Sequence, residues 1–139
     1  MFIDLDHFKS VNDTYGHAAG DIVLRTVAEC LSKNIRKSDS LGRIGGEEFS
    51  IFLPNTEMKG AVDLAEKARR AIESLMPDIG DQRLKITASI DVARNEHGQQ
   101  TMKDIQHQTE QAMYEAKGKG RNRVSSFQEM KSQGAPIAV

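Results

Sequence analysis

The spacing of apolar and polar residues predicts, in chain order, a strand, a helix, two strands, a helix, a strand, a helix and a short last strand. The apolar run 1–5 predicts the first strand, and the polar, glycine-containing stretch 8–21 is interpreted as a turn-rich connection. Apolar residues recur at helical spacing from about Asp21 to Ile35, with Asp21 placed as a cap or first-turn acid. The beginning of the chain therefore predicts one strand and one amphipathic helix.

A hairpin, a second helix and a further strand are predicted next. The runs SLGRI and EFSIFLP flank Gly45 and Gly46, which suit a tight turn because glycine tolerates positive φ. The stretch 56–75 carries apolar side chains on one helical face. In 84–93, apolar residues alternate with polar ones, which predicts a strand with one buried face and turns Asp91 toward solvent.

The remaining elements complete a recognisable fold class. Thr101 and Asp104 have capping-box spacing before a helix that Gly118 and Gly120 end, and RVSSF predicts the short last strand. The first six elements match the β-α-β-β-α-β plan of an α+β, ferredoxin-like sandwich. A right-handed crossover makes the first two strands parallel, so the hairpin tip and the end of the first strand should share one edge of the sheet.

Composition narrows the classes of protein that fit. The chain has 139 residues, 38% hydrophobic and 28% charged, which is typical of one soluble globular domain. We assign the domain to 1–127 and a flexible tail to 128–139. The net charge of −1 argues against a nucleic-acid partner. Cys30 is the single cysteine, so no internal disulfide can form and a cytoplasmic location is expected; no membrane segment or signal peptide is recognisable.

Carboxylates gather where the hairpin tip should meet the first strand. Asp4 and Asp6 end that strand, and Glu47 and Glu48 directly follow the two glycines. Clustered carboxylates raise one another's pKa and are costly without a cation, and oxygen ligands suit Mg²⁺ with phosphates completing its shell. Asp6 should face away from Asp4, so we interpret Asp6 as structural.

Four stretches of the sequence together resemble one family. RIGGEEF resembles the signature of the GGDEF domains, the diguanylate cyclases, and FIDLDHFKSVNDTYGHAAGD resembles their first strand and guanine-binding turn. SIDVA and EQAMYEAKGKGRNRV resemble their fourth-strand and terminal motifs. The resemblance covers about 2–124 and implies a nucleotidyl cyclase fold related to the polymerase palm. It implies that a homodimer, with one GTP in each protomer, joins two GTP into cyclic di-GMP and releases two pyrophosphates.

The resemblance also implies the catalytic residues. Asp4, Glu47 and the Leu5 carbonyl would ligate two Mg²⁺ ions in each half-site, with Mn²⁺ as a possible substitute. Glu48 would also be catalytic. The glycines of the signature would let the backbone approach the nucleotide closely, and these are Gly45 and Gly46.

Further positions match the substrate-binding residues of the family. Asn12 and Asp21 match the guanine readers, because a carboxylate accepts from guanine N1–H and the 2-amino group, while an amide offers both a donor and an acceptor. An ionised Asp21 would repel adenine N1, which favours GTP over an adenine nucleotide. The residues that match the phosphate-binding positions are Lys9, Lys117, Arg121 and, through backbone N–H groups, His7 and Phe8.

A second site is predicted from an R-x-x-D motif formed by Arg36 and Asp39. Its spacing before Gly45 matches the site where cyclic di-GMP inhibits such enzymes. Arg36 could fork onto a guanine edge or a phosphate, and Asp39 could accept from guanine. The alternative is an ion pair between residues i and i+3 on a helix surface.

The sequence departs from the family pattern in several places. No upstream helix or D-x-L-T-G-L-x-N-R motif precedes the first strand, so we expect that strand to be truncated and a second chain to supply the missing surface. Asp91 stands where the family has glycine, so it could crowd the site or add charge near the metals, although the alternation in 84–93 favours solvent. Thr109–Glu110 replaces Ala–Asp.

These departures leave other functions open. The chain could be a GGDEF-like module that binds GTP or cyclic di-GMP without turnover, or a cyclase with another dinucleotide product. An upstream sensory or regulatory domain is expected in the full-length protein. Lys67, Arg69 and Arg70 are interpreted as a solvated helix face.

Overall fold

The computed structural model describes residues 1–94, 107, 110, 113–114 and 117–126. The described residues between 107 and 118 are helical. The predicted capping box at Thr101 and Asp104 lies outside the described residues, as do Thr109 and the tail assigned to 128–139. The other elements are β1 (Phe2–Leu5), α1 (Phe8–Tyr15), α2 (His17–Lys33), β2 (Ser40–Gly45), β3 (Glu48–Phe52), α3 (Met58–Glu73), β4 (Ala88–Val92) and β5 (Val124–Ser126).

The strands form one mixed sheet in the order β2-β3-β1-β4-β5. The central strand β1 is antiparallel to both β3 and β4, and β2 is antiparallel to β3, so β1 and β2 run parallel as predicted. The last strand, β5, adds to β4 in parallel. The α+β prediction is confirmed, and the first four strands have the order of the ferredoxin-like plan.

The interpretation of 8–21 as a turn-rich connection was wrong, because α1 fills most of it and α2 begins within it. Gly16 separates the two helices with φ 92°, a conformation that glycine adopts at little cost. Buried Phe8 anchors α1 on the core, and this packing overrides the turn-forming tendency of the polar residues. Asp21 consequently lies beyond the first turn of α2 and is not its cap.

The strand predicted over 84–93 is shorter than expected, and it is buried on both faces. Every residue of β4 is buried, including Asp91, which has no exposed surface. Asp91 faces Phe2 on β1 and Ser125 on β5, because β4 is an interior strand that is covered on both faces. The prediction that Asp91 points to solvent was therefore wrong.

The main core lies between the sheet and the helices α2 and α3. A smaller apolar cluster on the other face joins Phe2 to Met113 of the helical residues 107–118. None of the helices in the described part of the chain is long and apolar enough to cross a membrane. The side chains most fully enclosed in the main core include Ile3, Leu5, Val23, Val27, Leu31, Ile51, Ile72 and Ile90.

Candidate active site

The sheet register brings the predicted carboxylates to one edge. Asp4 on β1 lies directly opposite Glu48 on β3. The backbone N–H of Leu5 donates to the carbonyl oxygen of Glu47 at 3.2 Å. The hairpin tip and the end of the first strand therefore share an edge, as the fold prediction required.

Asp4 combines burial with an unsatisfied oxygen. Only 7% of the residue is exposed. Its Oδ2 lies 2.9 Å from Nζ of Lys117, whereas its Oδ1 is buried and has no hydrogen-bond partner among the described residues. A buried carboxylate oxygen without a partner is costly and is available to a cation or a donor group of a ligand.

Negative charge accumulates around this carboxylate. Burial raises the pKa of Glu48, and the charges of Asp4, Glu47 and Glu110 raise it further against the opposing effect of Lys117. The sequence signalled Glu110 only as a lengthened substitute for the family aspartate. The structure adds it to the same electrostatic cluster, since Glu110 and Lys117 both line a cavity with Asp4 and Glu48.

The donor set fits a divalent cation that also takes ligands from its substrate. In the described part of the chain, no group of three or more His, Cys, Asp or Glu side chains is arranged to enclose a metal. Mg²⁺ usually uses one or two carboxylates and completes its shell with phosphate oxygens and water. Asp4, whose Oδ1 has no hydrogen-bond partner among the described residues, and Glu48 opposite it on β3 could supply such carboxylate oxygens.

The two signature glycines act differently from the prediction. Gly46 and Glu47 form the turn of the hairpin, and the β2–β3 register shifts between Arg43 and Gly45. Neither Gly45 nor Gly46 takes a positive φ, so that reason for their presence was wrong. A Cβ atom on Gly46 would meet nothing within 4 Å, which leaves open space for a ligand beside the turn.

Arg43 is a residue of this turn that sequence reasoning missed. Its Nε donates to the carbonyl oxygens of Gly45 at 3.3 Å and Gly46 at 3.1 Å. These bonds hold the turn from within the hairpin. Arg43 lies within β2 at the start of RIGGEEF, so its place beside the bulge was the only signal of this role in the sequence.

The predicted guanine readers lie on neighbouring helices. Asn12 of α1 packs against α2 so closely that a Cβ on Gly20 would lie 1.9 Å from Asn12 Oδ1. Glycine at this position therefore allows the amide its place. Asp21 follows directly, is exposed, and lines a cavity of ≈ 400 Å³ between α2 and the hairpin that also includes Leu24 and Arg43.

The predicted phosphate-binding residues come from two segments. His7 precedes α1 with φ 56°, and no side chain caps this helix end. The first-turn N–H groups, including those of Phe8 and Lys9, therefore face an end suited to anions. The described helical residues stop at Gly118, so Lys117 belongs to the helical segment and Arg121 to the turn after it.

Arg36 and Asp39 form the i,i+3 ion pair of the alternative considered above, but in the loop between α2 and β2 and not on a helix surface. Arg36 Nη2 lies 2.8 Å from Asp39 Oδ1, and the Arg36 backbone N–H donates to Oδ2 at 2.9 Å. The same guanidinium donates to Thr56 Oγ1 at 2.5 Å. Hydrogen bonding to Arg36 lowers the pKa of Asp39, whose side chain is fully buried while that of Arg36 is half exposed.

Two further interpretations are decided by the structure. Asp6 is structural, because its carboxylate accepts hydrogen bonds from Thr87, Ser89 and the Asn122 backbone. Arg69 is not part of a solvated face, since only 15% of its side chain is exposed and it binds acidic and amide groups.

Comparison with known proteins identifies a family that this chain matches over most of its length. Residues 1–123 match the family described as diguanylate cyclase, GGDEF domain. The chain is 41% identical over 125 residues to diguanylate cyclase A of Treponema denticola, covering 90% of this chain and 34% of that protein. It therefore spans about a third of that relative's length.

Two solved structures of domains of this kind are similar to the chain in both sequence and fold. The active GGEEF domain of a diguanylate cyclase from Vibrio cholerae is 37% identical with a TM-score of 0.80, covering 91% of this chain and 80% of that one. The GGDEF domain of DgcB from Caulobacter crescentus, in complex with c-di-GMP, is 30% identical with a TM-score of 0.81, covering 91% of this chain and 75% of that one.

Proposed function

Because the chain belongs to the GGDEF family of diguanylate cyclase domains, we propose that it condenses two GTP molecules into cyclic di-GMP and two pyrophosphates. The observation that carries the proposal is the edge formed by Asp4, Glu47 and Glu48, where a buried Asp4 oxygen has no hydrogen-bond partner among the described residues. Lys117 adds a positive charge at the same place. This combination of oxygen ligands and a cation suits phosphoryl transfer.

Different residues of the chain would have different roles in the reaction. Asp4, Glu47 and the Leu5 carbonyl would hold two Mg²⁺ ions, or Mn²⁺, and when bound these supply the charge that activates the attacking 3′-hydroxyl and stabilises the departing pyrophosphate. Lys117 neutralises charge beside Asp4. Glu48, whose pKa is raised, can hold a proton near the reacting groups at higher pH than an ordinary glutamate.

GTP would be bound at two places in the site, one for the guanine and one for the phosphates. Asn12 and Asp21 would read the guanine, and the absence of a side chain at Gly20 leaves room for the Asn12 amide oxygen. The α1 N-terminus at Phe8 and Lys9, together with Lys117 and Arg121, would hold the phosphates. These are the roles that the sequence predicts, and Glu110 adds a negative charge near Glu48.

Each chain carries one half of the reaction. Two GTP molecules must attack one another, so we propose that two protomers face each other as a homodimer, in the cytoplasm, under the control of an upstream sensory or regulatory domain. The SiaD diguanylate cyclase of Pseudomonas aeruginosa, 35% identical with a TM-score of 0.85, was solved in complex with its activator SiaC.

The proposed function is tested by incubating the purified chain with GTP and Mg²⁺ and separating the nucleotides by chromatography. We expect cyclic di-GMP that is absent with Glu47→Gln and absent when ATP replaces GTP. Binding of cyclic di-GMP without any turnover would instead support a sensory module. A product made from ATP would contradict the assigned guanine readers.

We further propose that the R-x-x-D loop binds the product. Asp39 is enclosed by Arg36, so Arg36 presents its half-exposed guanidinium to the ligand while Asp39 holds it in place. Arg36→Ala is expected to raise the cyclic di-GMP concentration for half-inhibition by at least about 10-fold, since a charge-assisted contact is lost. The matched control is Lys37→Ala, on the adjoining exposed residue, and equal inhibition of Arg36→Ala and the parent chain would exclude the site.

A further inference from the structure

The turn after the last described helical residues has an unusual backbone. Three consecutive residues take positive φ, namely Gly120 at 116°, Arg121 at 60° and Asn122 at 46°. Glycine tolerates this region, but each non-glycine residue in it costs on the order of 1 kcal/mol. Contacts elsewhere must hold Arg121 and Asn122 in this shape.

Asn122 supplies those contacts with its backbone and its side chain. Its backbone N–H donates to Asp6 Oδ2 at 2.9 Å. Its Oδ1 accepts from Arg69 Nη1 at 2.9 Å, and its Nδ2 donates to Glu73 Oε2. Both ends of the amide therefore face partners of matching polarity, which fixes the orientation of the side chain.

The partner on the sheet side is itself immobilised. Asp6 is 5% exposed and also accepts from Thr87 Oγ1 at 2.7 Å and from Ser89 Oγ at 2.6 Å. A buried carboxylate with several hydrogen bonds cannot shift without leaving them unmade. The Asn122 backbone is thus fixed relative to the end of β1, one strand position beyond Leu5.

The partners on α3 form a second fixed support. Arg69 pairs with Glu66 at 3.1 Å and with Glu73 at 3.4 Å, and its side chain is mostly buried. A guanidinium held by two carboxylates presents its remaining donors in a defined direction. Asn122 bonds to both Arg69 and Glu73, so it links α3 to the turn.

The same turn joins two residues that the proposed function assigns to phosphate. Lys117 lies just before it, with Nζ 2.9 Å from Asp4, and the Gly120 N–H donates to the Lys117 carbonyl at 3.3 Å. Arg121 lies within it. On the far side, the Ile90 N–H donates to the Arg123 carbonyl at 2.8 Å and pins the chain to β4.

We propose that Asn122 is a positioning residue for phosphate binding: by bridging α3 and the end of β1, it holds the left-handed turn that presents Arg121 beside Lys117. This inference rests on the proposed use of GTP. Asn122 acts through Arg121, so its loss should weaken contacts to the β- and γ-phosphates and leave the guanine contacts at Asn12 and Asp21 intact.

The test compares the affinities for GTP and GMP by titration calorimetry in the presence of Mg²⁺. The wild-type chain is expected to bind GTP more tightly than GMP. Asn122→Gly keeps the positive φ free of strain and removes only the side-chain bridges. We expect it to lower GTP affinity by about 10-fold, the equivalent of one charge-assisted contact, with GMP affinity unchanged.

Two further variants separate positioning from general loosening. Arg69→Met removes one partner of Asn122 and should give the same GTP-selective loss. Arg121→Gln should also give it, and combining Arg121→Gln with Asn122→Gly should add nothing, because the two residues act through one contact. Urea unfolding of each variant shows that the protein compared is folded.

The outcomes are distinct. Unchanged GTP affinity in Asn122→Gly, or a parallel loss of GTP and GMP affinity, overturns the inference. Additive losses in the double variant also overturn it, since Asn122 would then act independently of Arg121. A wild-type chain that binds neither nucleotide overturns the proposed function itself and this inference with it.

Discussion

Replacing Asp4 with asparagine is expected to lower the rate of cyclic di-GMP formation by at least about 100-fold, which is the scale of losing one strong electrostatic contact to the transition state. Asp4 offers a buried Oδ1 that no described residue hydrogen-bonds and an Oδ2 paired with Lys117. An amide in its place keeps the size of the side chain but removes the negative charge that a divalent cation needs. The measurement is initial rate against Mg²⁺ concentration, with product quantified by chromatography.

The control for Asp4→Asn is the same carboxylate-to-amide change at a position away from the site. Glu57→Gln removes an exposed carboxylate that lies outside the site and should leave both the rate and the Mg²⁺ dependence unchanged. A second readout is thermal stability, because Mg²⁺ with GTP should raise the melting temperature of the parent chain but not of Asp4→Asn. Full activity of Asp4→Asn at ordinary Mg²⁺ concentrations would rule out Asp4 as a metal ligand.

Replacing Asp91 with asparagine is expected to stabilise the fold at pH 8 by up to about 4 kcal/mol and to have almost no effect near pH 4. Burial raises the pKa of Asp91 to about 7, and the Ser125 hydrogen bond, the Met1 ammonium and the Val92 N–H lower it only in part. Its Oδ2 is buried and has no hydrogen-bond partner in the part of the chain that the structure describes. The ionised form is therefore strongly disfavoured inside the protein.

The sign of the effect follows from proton binding. Between about pH 4 and 7 the folded chain keeps a proton on Asp91 that the unfolded chain has released, so stability falls as pH rises through this window. Asparagine does not titrate, and the variant should lack this loss. Burial also lowers the pKa of the Met1 amino group to about 6, which gives an opposite slope up to about pH 8. Because the Asp91 charge raises the pKa of Met1 in the parent chain, Asp91→Asn should lower that pKa further, so this slope differs between the two proteins and adds to their difference.

Urea unfolding at several pH values between about 4 and 8 measures the effect. Asp63→Asn, on an exposed position of α3, is the matched control and should follow the parent chain at every pH. A difference between Asp91→Asn and the parent chain that stays constant with pH would show that Asp91 does not titrate in this range. The aspartate at the position where the family has glycine would then affect stability through packing alone.

The parts of the fold that the sequence predicted are those where one physical signal dominates. The alternation in EFSIF and the glycines before it predicted the hairpin, and the apolar stripe of 56–75 predicted α3 to within two residues at each end. Where signals conflict, local reasoning failed. The polar residues of 8–21 favour turns, yet α1 forms because Phe8 enters the core.

The candidate site, too, could be predicted from the sequence only in part. The order of the strands follows from crossover handedness, so the meeting of Asp4 with Glu48 could be derived before any coordinates. The sequence could not predict that Arg43 donates hydrogen bonds to the turn. It also could not predict that Gly20 lies so close to Asn12. Both depend on distances between elements that no spacing along the chain encodes.

By itself, the sequence determined the fold class, the edge of the sheet where the carboxylates gather, and the family to which the chain belongs, because these depend on periodicity, topology and local motifs. Only the tertiary structure decided which polar residues are buried. Asp91 and Arg69 occupy positions that local patterns assign to solvent, but a neighbouring strand covers one and a turn contacts the other. Burial is set by what packs against a residue from distant parts of the chain, and it determines both the pH dependence at Asp91 and the link through Asn122.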